Sequence, residues 1–266
     1  MWWMWDDLAD LVMARECAGC GTAGSVLCSG CRSDLDGQRY AVPCTVRPVP
    51  APAGLPHVVA SARYAGAVRA AIVAFKDEGR GDLAALLAPM LAGALLTILG
   101  LERAQLVSAE RGGSGPQSVG AERVLVVPMP SSRAATRHRG ERPVLTLARR
   151  ATRAVGSARA SPELPSVHVV AALTTRRRVA DQARLGAEDR ARNLSGAYAV
   201  THRHTAVVRA HRVVLVDDVM TTGATLAEAA RAVSAVGGQA IAAAVIAATE
   251  RRHAGRGAAG GPVWPG

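Results

Sequence analysis

Residues 213–230, VVLVDDVMTTGATLAEAA, constrain the fold of this chain more than any other segment. The β-branched run Val213–Val216 has the composition of a strand buried on both faces, as parallel strands are. It stops at two adjacent carboxylates, Asp217 and Asp218, and a turn of small polar residues follows, Thr221-Thr222-Gly223-Ala224-Thr225. The alanine-rich stretch 224–236 then predicts a helix. A strand feeding such a turn and a helix N-terminus offers successive backbone N–H groups to an anion, with the helix dipole in the same sense. Gly223 lets a ligand come close to the backbone, and threonine hydroxyls donate to phosphate oxygens. The two aspartates repel an anion, so they suit sugar hydroxyls or a hydrated cation instead. A ribose 5-phosphate satisfies both halves. In a plainer reading Asp218 or Thr222 only caps a helix and Asp217 only ends a strand. A cap needs one such residue, whereas six polar or glycine positions fall within the nine of 217–225.

A chain of 266 residues, 49% hydrophobic, can hold one sizeable α/β domain with a small appendage and is not generally disordered. It has no run of 18 uninterrupted apolar residues, and its N-terminal MWWMWDDLADLVM carries three acids and no basic stretch. We therefore expect no membrane insertion, no signal peptide and a cytoplasmic protein. The formal charge of +11 invites a nucleic-acid reading. Lys76, however, is the one lysine among 32 basic residues, a skew toward arginine that compositional bias explains. The basic residues also cluster at 133–142 and 176–192, where an anionic small molecule would need them. Both readings of the charge stay open. A single lysine, placed in Ala74-Phe75-Lys76-Asp77-Glu78-Gly79, excludes a P-loop nucleotide-binding motif. Lys76 itself is either a compact ammonium kept for a role or a chance survivor.

Hydrophobic patterning divides the chain into an N-terminal helix, cysteine module and linker (1–56), a main domain (57–250) and a disordered tail (251–266). Trp2, Trp3 and Trp5 mark the apolar side of the first helix. Strands are predicted at 57–64, 124–130, 167–173, 212–217 and 239–248, with helices from Val68 to Phe75 and over 82–100, 140–155 and 224–236. Residues 107–121 read as a mobile surface insert, 174–193 as a long loop, and 197–201 with 205–209 as a short excursion. Strands alternating with helices predict an α/β fold, a doubly wound and mostly parallel sheet, with ligands at the carboxyl ends of its strands.

Three further groups carry chemistry. Cys17-x-x-Cys20 and Cys28-x-x-Cys31 can supply four thiolates to a structural Zn²⁺; disulfides are the competing explanation, disfavoured in a cytoplasmic chain. Cys44 is left as an ordinary thiol. Strand 124–127 runs into Pro128-Met129-Pro130-Ser131-Ser132-Arg133, where two hydroxyls and a guanidinium suit a pyrophosphate, or simply form a Pro-Ser turn. The loop 174–193, with Arg176, Arg177, Arg178, Asp181, Gln182, Arg190 and Asn193, is either a lid or a solvated charge run. His202, His204 and His211 lack metal-site spacing.

Taken in order, these segments resemble the ComF family of type I phosphoribosyltransferase-like proteins linked to bacterial DNA uptake. The resemblance covers roughly residues 15–248. It rests on the paired C-x-x-C module, the Tyr64–Lys76 segment, VVPMPSSRAATRHRG, the Arg178 to Leu194 segment and VLVDDVMTTGAT. It implies a phosphoribosyltransferase fold behind a small zinc module. Asp217 and Asp218 would hold the ribose hydroxyls of 5-phosphoribosyl 1-diphosphate (PRPP), with Val219 and Met220 alongside. Thr221, Thr222, Gly223, Ala224 and Thr225 would bind its 5-phosphate. Ser131, Ser132 and Arg133 would lie by the pyrophosphate, and Arg178, Gln182, Arg190 and Asn193 in a flexible hood. Asp217, Asp218 and Arg133 would act in catalysis, with Mg²⁺ bound alongside PRPP. The chain departs from the family where Glu141-Arg142-Pro143 replaces the usual Asn-Gln and where Cys44 stands in place of a further cysteine pair.

The function expected is transfer of a phosphoribosyl group from PRPP to a nitrogen acceptor. The alternative is a non-catalytic PRPP-binding accessory of DNA uptake, with single-stranded DNA or the competence machinery as partner. The 3% aromatic content offers few stacking platforms for single-stranded DNA.

Overall fold

The computed structural model describes residues 16–111, 123–130, 142–158, 164–176 and 195–249. The expected N-terminal tryptophan helix, the tail, and the candidate residues Ser131, Ser132, Arg133, Arg178, Gln182, Arg190 and Asn193 lie outside them.

The described chain begins with a two-pair cysteine knuckle and helix α1 (Ser29–Gln38), followed by strands β1 (Arg39–Val46) and β2 (His57–Arg63). Helix α2 (Gly66–Asp77), a 3-10 turn (Gly81–Leu83) and the long helix α3 (Ala84–Arg111) come next. Then follow β3 (Arg123–Pro128), α4 (Pro143–Ala158), β4 (Ser166–Val169), β5 (Leu173–Thr175) and β6 (Tyr198–Val200). A 3-10 turn (His202–His204) leads into α5 (Thr205–Ala210), β7 (Arg212–Met220), α6 (Ala224–Ser234) and β8 (Gln239–Ala248).

Six strands form one sheet in the order β1-β2-β8-β7-β3-β4. All neighbours pair parallel except β1, which runs antiparallel along β2. Both faces are covered, and residues alternate between them with the period of two that a pleated strand imposes. Val214, Val216, Val124 and Val126 pack with α2, α3 and α4 on one side. Val213, Leu215, Leu125 and Val127 pack with β6 and α6 on the other. Burial on both faces is why these strands are apolar without interruption. The fold class is α/β, mostly parallel, as expected.

From β3 the chain steps through α4 to β4 on one flank, and from β7 through α6 to β8 on the other. The strand order therefore reverses between β3 and β7, and the crevice beyond their carboxyl ends is where such sheets bind ligands.

Several element boundaries differ from expectation. β7 does not stop at Asp217, because its ladder with β8 continues through Asp217↔Val245 and Val219↔Ala247 to Met220↔Ala248. The expected strand 167–173 is broken. β4 pairs with β3, while Val170 N–H donates to Val126 O, Ala172 N–H folds back to Val170 O, and β5 turns away to pair with β6. Residues 205–209 are helical, and α3 runs through 107–111, taking in the start of the expected surface insert.

By composition alone Gly81–Ala104 is long and apolar enough to cross a membrane. In the fold it is a core helix: Leu83, Leu87, Leu91, Leu95 and Leu99 are buried in the same cluster as α2, α4 and the sheet.

Candidate functional site

At the carboxyl end of β7 the two aspartates point to opposite sides of the strand, as successive residues must. Asp218 is buried and Asp217 half-buried. Lys76, in the last turn of α2, crosses to Asp218. Its Nζ donates to Oδ1 at 3.1 Å and lies 2.8 Å from Oδ2. The Val219 N–H donates to the same Oδ1 at 2.8 Å, and the Asp218 N–H to Asp217 Oδ1 at 2.9 Å. Burial disfavours the Lys76 ammonium, but the carboxylates of Asp218 and Asp217 outweigh it and hold its pKa above the ordinary lysine value. Burial raises the pKa of Asp217 well above the carboxylate range, and the Asp218 charge adds to that, while Lys76 opposes it. The site thus keeps an acid pair in which Asp218 is paired with Lys76 and Asp217 holds its proton to higher pH.

After Met220 the chain bends through residues 221–223 into α6. Gly223 takes the left-handed conformation with φ +76°, so a side chain there would be strained and its Cβ, 2.9 Å from the Leu55 side chain, would push Leu55 aside. Leu55 and Pro48 of the linker lie against the back of this bend. The bend is held open from one side by Thr249, whose N–H donates to Met220 O and whose hydroxyl donates to Thr221 O at 3.1 Å. The Ala224 N–H is 3.4 Å from Thr222 Oγ1. Among the described residues nothing accepts from the backbone N–H groups of Thr221, Thr222, Gly223 and Thr225. Those amides, at the N-terminus of an eleven-residue helix, are what an anion would use.

Asp217, Asp218, Val219, Thr221 and Thr225 open on one cavity of about 540 Å³. Lys76, Tyr64 and Ile72 line it from the α2 side, and Met129, Pro130 and Val144 from the β3–α4 side. Of the remaining candidates on this segment, Met220 and Ala224 are buried in the core on the α6 side of the sheet, and Thr222 and Gly223 form the bend without lining the cavity wall. Tyr198 of β6 also lines the cavity. Burial, then the charges of Asp217 and Glu228, push its phenol up to about 12, so it stays a neutral hydrogen-bonding group. Glu228 is itself buried and gripped by both arms of Arg231, at 2.7 and 2.8 Å, and Arg231 reaches on to Tyr198 O at 3.4 Å. That fork ties β6 to α6. Tyr198 carries no motif in the chain, and only the fold brings it here. Lys76 did carry a signal, as the one lysine in an arginine-rich chain.

The four cysteines Cys17, Cys20, Cys28 and Cys31 converge, with all Sγ atoms within 4.8 Å of one another. The Cys20 and Cys28 sulfurs lie 3.6 Å apart, far beyond a disulfide bond, and all four cysteines are free thiols. A tetrahedron of thiolates around Zn²⁺, with Zn–S near 2.3 Å, puts its sulfurs roughly 3.8 Å apart, so the group fits the ion. The Cys28 and Gly19 N–H groups donate to Cys17 Sγ at 3.3 and 3.4 Å, as knuckle turns do around a bound thiolate. Burial raises the Cys17 thiol, yet these amides dominate and bring it down to about 6. The neighbouring thiols Cys17 and Cys28, together with burial, push Cys31 up to about 12. A dication removes that conflict by holding all four as thiolates. Gly19 packs against Cys31, where a Cβ would meet Sγ at 2.5 Å.

Compared with known families, residues 150–259 match the model of the phosphoribosyl transferase domain, a span that takes in β7, the bend and α6. Comparison with curated proteins gives no match. The matched span and the mostly parallel sheet together support a protein of the type I phosphoribosyltransferase kind, carrying a four-cysteine cluster that fits zinc.

Proposed function

We propose that this protein binds PRPP, as its magnesium complex, at the crevice between β3 and β7 and transfers the phosphoribosyl group to a nitrogen acceptor. The observation that carries the reading is a single cavity reached by an acid pair, a lysine and a bend whose amides meet no acceptor among the described residues. The 5-phosphate would take the amides of 221–225. The ribose hydroxyls would meet Asp217 and Asp218. Asp217 and Asp218 would hold magnesium together with the ligand, and the ion would supply charge neutralisation to the diphosphate when bound. The protein's own share is positioning and exclusion of water, which would otherwise capture the sugar cation as the C1–O bond breaks. Arg133, with Ser131 and Ser132, would extend the site toward the departing diphosphate, and Arg178 and Gln182 would cover it.

We further assign the chain to the ComF family, on its paired cysteine module followed by the Tyr64–Lys76 and VLVDDVMTTGAT segments, and with it to the cytoplasm and to competence. Residues 57–250 would form the transferase unit. The accessory reading, in which PRPP is bound without turnover during DNA uptake, gains no separate support from the described structure.

Titration calorimetry with PRPP and Mg²⁺ tests the proposal, and a pyrophosphate-release screen over nucleobases and small amines tests turnover. Binding in the micromolar range is expected. Asp218→Asn should weaken it by about tenfold or more, because a charged acceptor for a ribose hydroxyl is lost. No heat of binding at millimolar PRPP would end the reading.

A further inference from the structure

Asp218 is nearly fully buried, and among the described residues its Oδ2 has no partner other than the Lys76 ammonium. Its Oδ1 is already shared between the Val219 N–H and Lys76. Oδ1 thus has two donors, whereas Oδ2 could take a second but is buried against the Lys76 ammonium, so a sugar hydroxyl can reach it only where Lys76 gives way. Lys76 is built to do so. Its side chain remains about half exposed, at 47%, while Asp218 lies at 3%, and both open on the same cavity. Four rotatable bonds and a compact head let an ammonium swing a few ångströms without moving its helix. The backbone of α2 is held at the far end, where the Ala67 N–H donates to Asp34 Oδ2 at 2.6 Å.

A cation leaving a buried carboxylate needs another anion within reach. Met129 and Pro130, just after β3, line the same cavity as Lys76, and the proposed ligand would carry its diphosphate on that side. We infer that Lys76 is an exchangeable counter-ion: without ligand it neutralises Asp218, and when PRPP brings its ribose hydroxyls to the acid pair the ammonium transfers to the 1-diphosphate. Lys76 is then a ligand-binding residue, and it lets the site discriminate a sugar with a diphosphate at C1 from one without. A ribose 5-phosphate offers the hydroxyls but no second home for the charge. This inference rests on the proposed function and adds the group that reads the leaving diphosphate.

The test compares PRPP with ribose 5-phosphate, both with Mg²⁺, on the full chain and on Lys76→Met. PRPP affinity should fall by about ten- to a hundredfold, the loss of one charged hydrogen bond, and ribose 5-phosphate affinity by less than about threefold. An equal loss for both ligands, or none for PRPP, would overturn the inference while leaving PRPP binding standing. No PRPP binding by the parent protein would overturn both readings. Should Lys76→Met fail to fold, the unmutated protein still answers. Reductive ¹³C-dimethylation keeps the charge and labels this one lysine beside the N-terminal amine. Its methyl resonance should move on adding PRPP and much less with ribose 5-phosphate. A resonance that stays in place with PRPP sinks the exchange.

Discussion

Asp217 and Asp218 are neighbours in the chain with different electrostatic fates, because alternate residues of a strand face opposite ways. Asp218 has a cation at 2.8 Å, whereas Asp217 has burial and a like charge. The consequence for stability has a definite sign. Unfolded, Asp217 releases its proton in the ordinary carboxylate range; folded, it keeps the proton to higher pH. Folding takes up a proton between the two values, so this contribution is complete below the ordinary range and is lost as pH rises through the raised value. Asn at this position has nothing to ionise. Melting temperatures of Asp217→Asn and the parent, compared between about pH 4 and about pH 8, should show the variant gaining relative to the parent as pH rises. Lys76, Asp218 and Tyr198 face the same group, and all three are retained in that comparison. A difference that stays flat across the range contradicts the assignment.

At the level of elements, α2 is the part that joins the cysteine module to the cavity. Its first turn has no cap of its own, and Asp34 of α1 supplies the missing acceptor. Just past its other end Arg80 donates to Glu16 O at 2.9 Å, one residue ahead of the first cysteine. Stripping zinc with a chelator should therefore loosen both ends of the helix that carries Lys76. The expected outcome is one zinc per chain by metal analysis, and a lower melting temperature with weakened PRPP binding once it is removed. Asp34→Ala, which leaves the cysteines intact, should cost about 1 kcal/mol as a lost helix cap, or about 2–4 °C in melting temperature. An unchanged melting temperature in both experiments would show the module to be an independent appendage. Elements were legible in the sequence where burial and propensity agree. β8 is apolar because both its faces are covered, and its expected limits coincide with the observed ones. Residues 205–209, read only as part of a short excursion, form a helix that buries Val208 alone, too weak a pattern to show in the sequence. β1 was invisible for a related reason. Pro43 interrupts the pattern and Val42 is exposed, which an edge strand tolerates and a central one does not. The acid pair, the bend and the cysteines were legible because each is local in the chain. Tyr198 and the Lys76–Asp218 contact were not, since 142 positions separate the lysine from its partner.

Over the molecule as a whole, the sheet does not respect a boundary at residue 56. β1 comes from the segment ahead of the linker and covers the outer edge of β2, with Cys44↔Ala60 and Val46↔Val58 in register. Leu27 and Leu35 of the cysteine module are buried in one cluster with Val68, Ile72 and Phe75 of α2. The linker between them lies against Gly223 at the back of the bend. A chain starting at residue 57 would lose all three supports at once. It would expose the β2 edge to pairing with other chains and uncover apolar surface worth about 1.5–3 kcal/mol per large side chain. Such a truncation should unfold at lower urea concentration than the full chain and associate in solution, by an amount larger than Asp34→Ala causes. Its bend should also bind PRPP less well, although every residue of the 217–225 segment is kept, because Leu55 and Pro48 no longer back Gly223. Equal urea midpoints for the two chains would mean that the N-terminal segment only decorates the sheet. A lower midpoint with unchanged PRPP affinity would separate the two roles, leaving the segment as a structural edge and the bend as self-supporting.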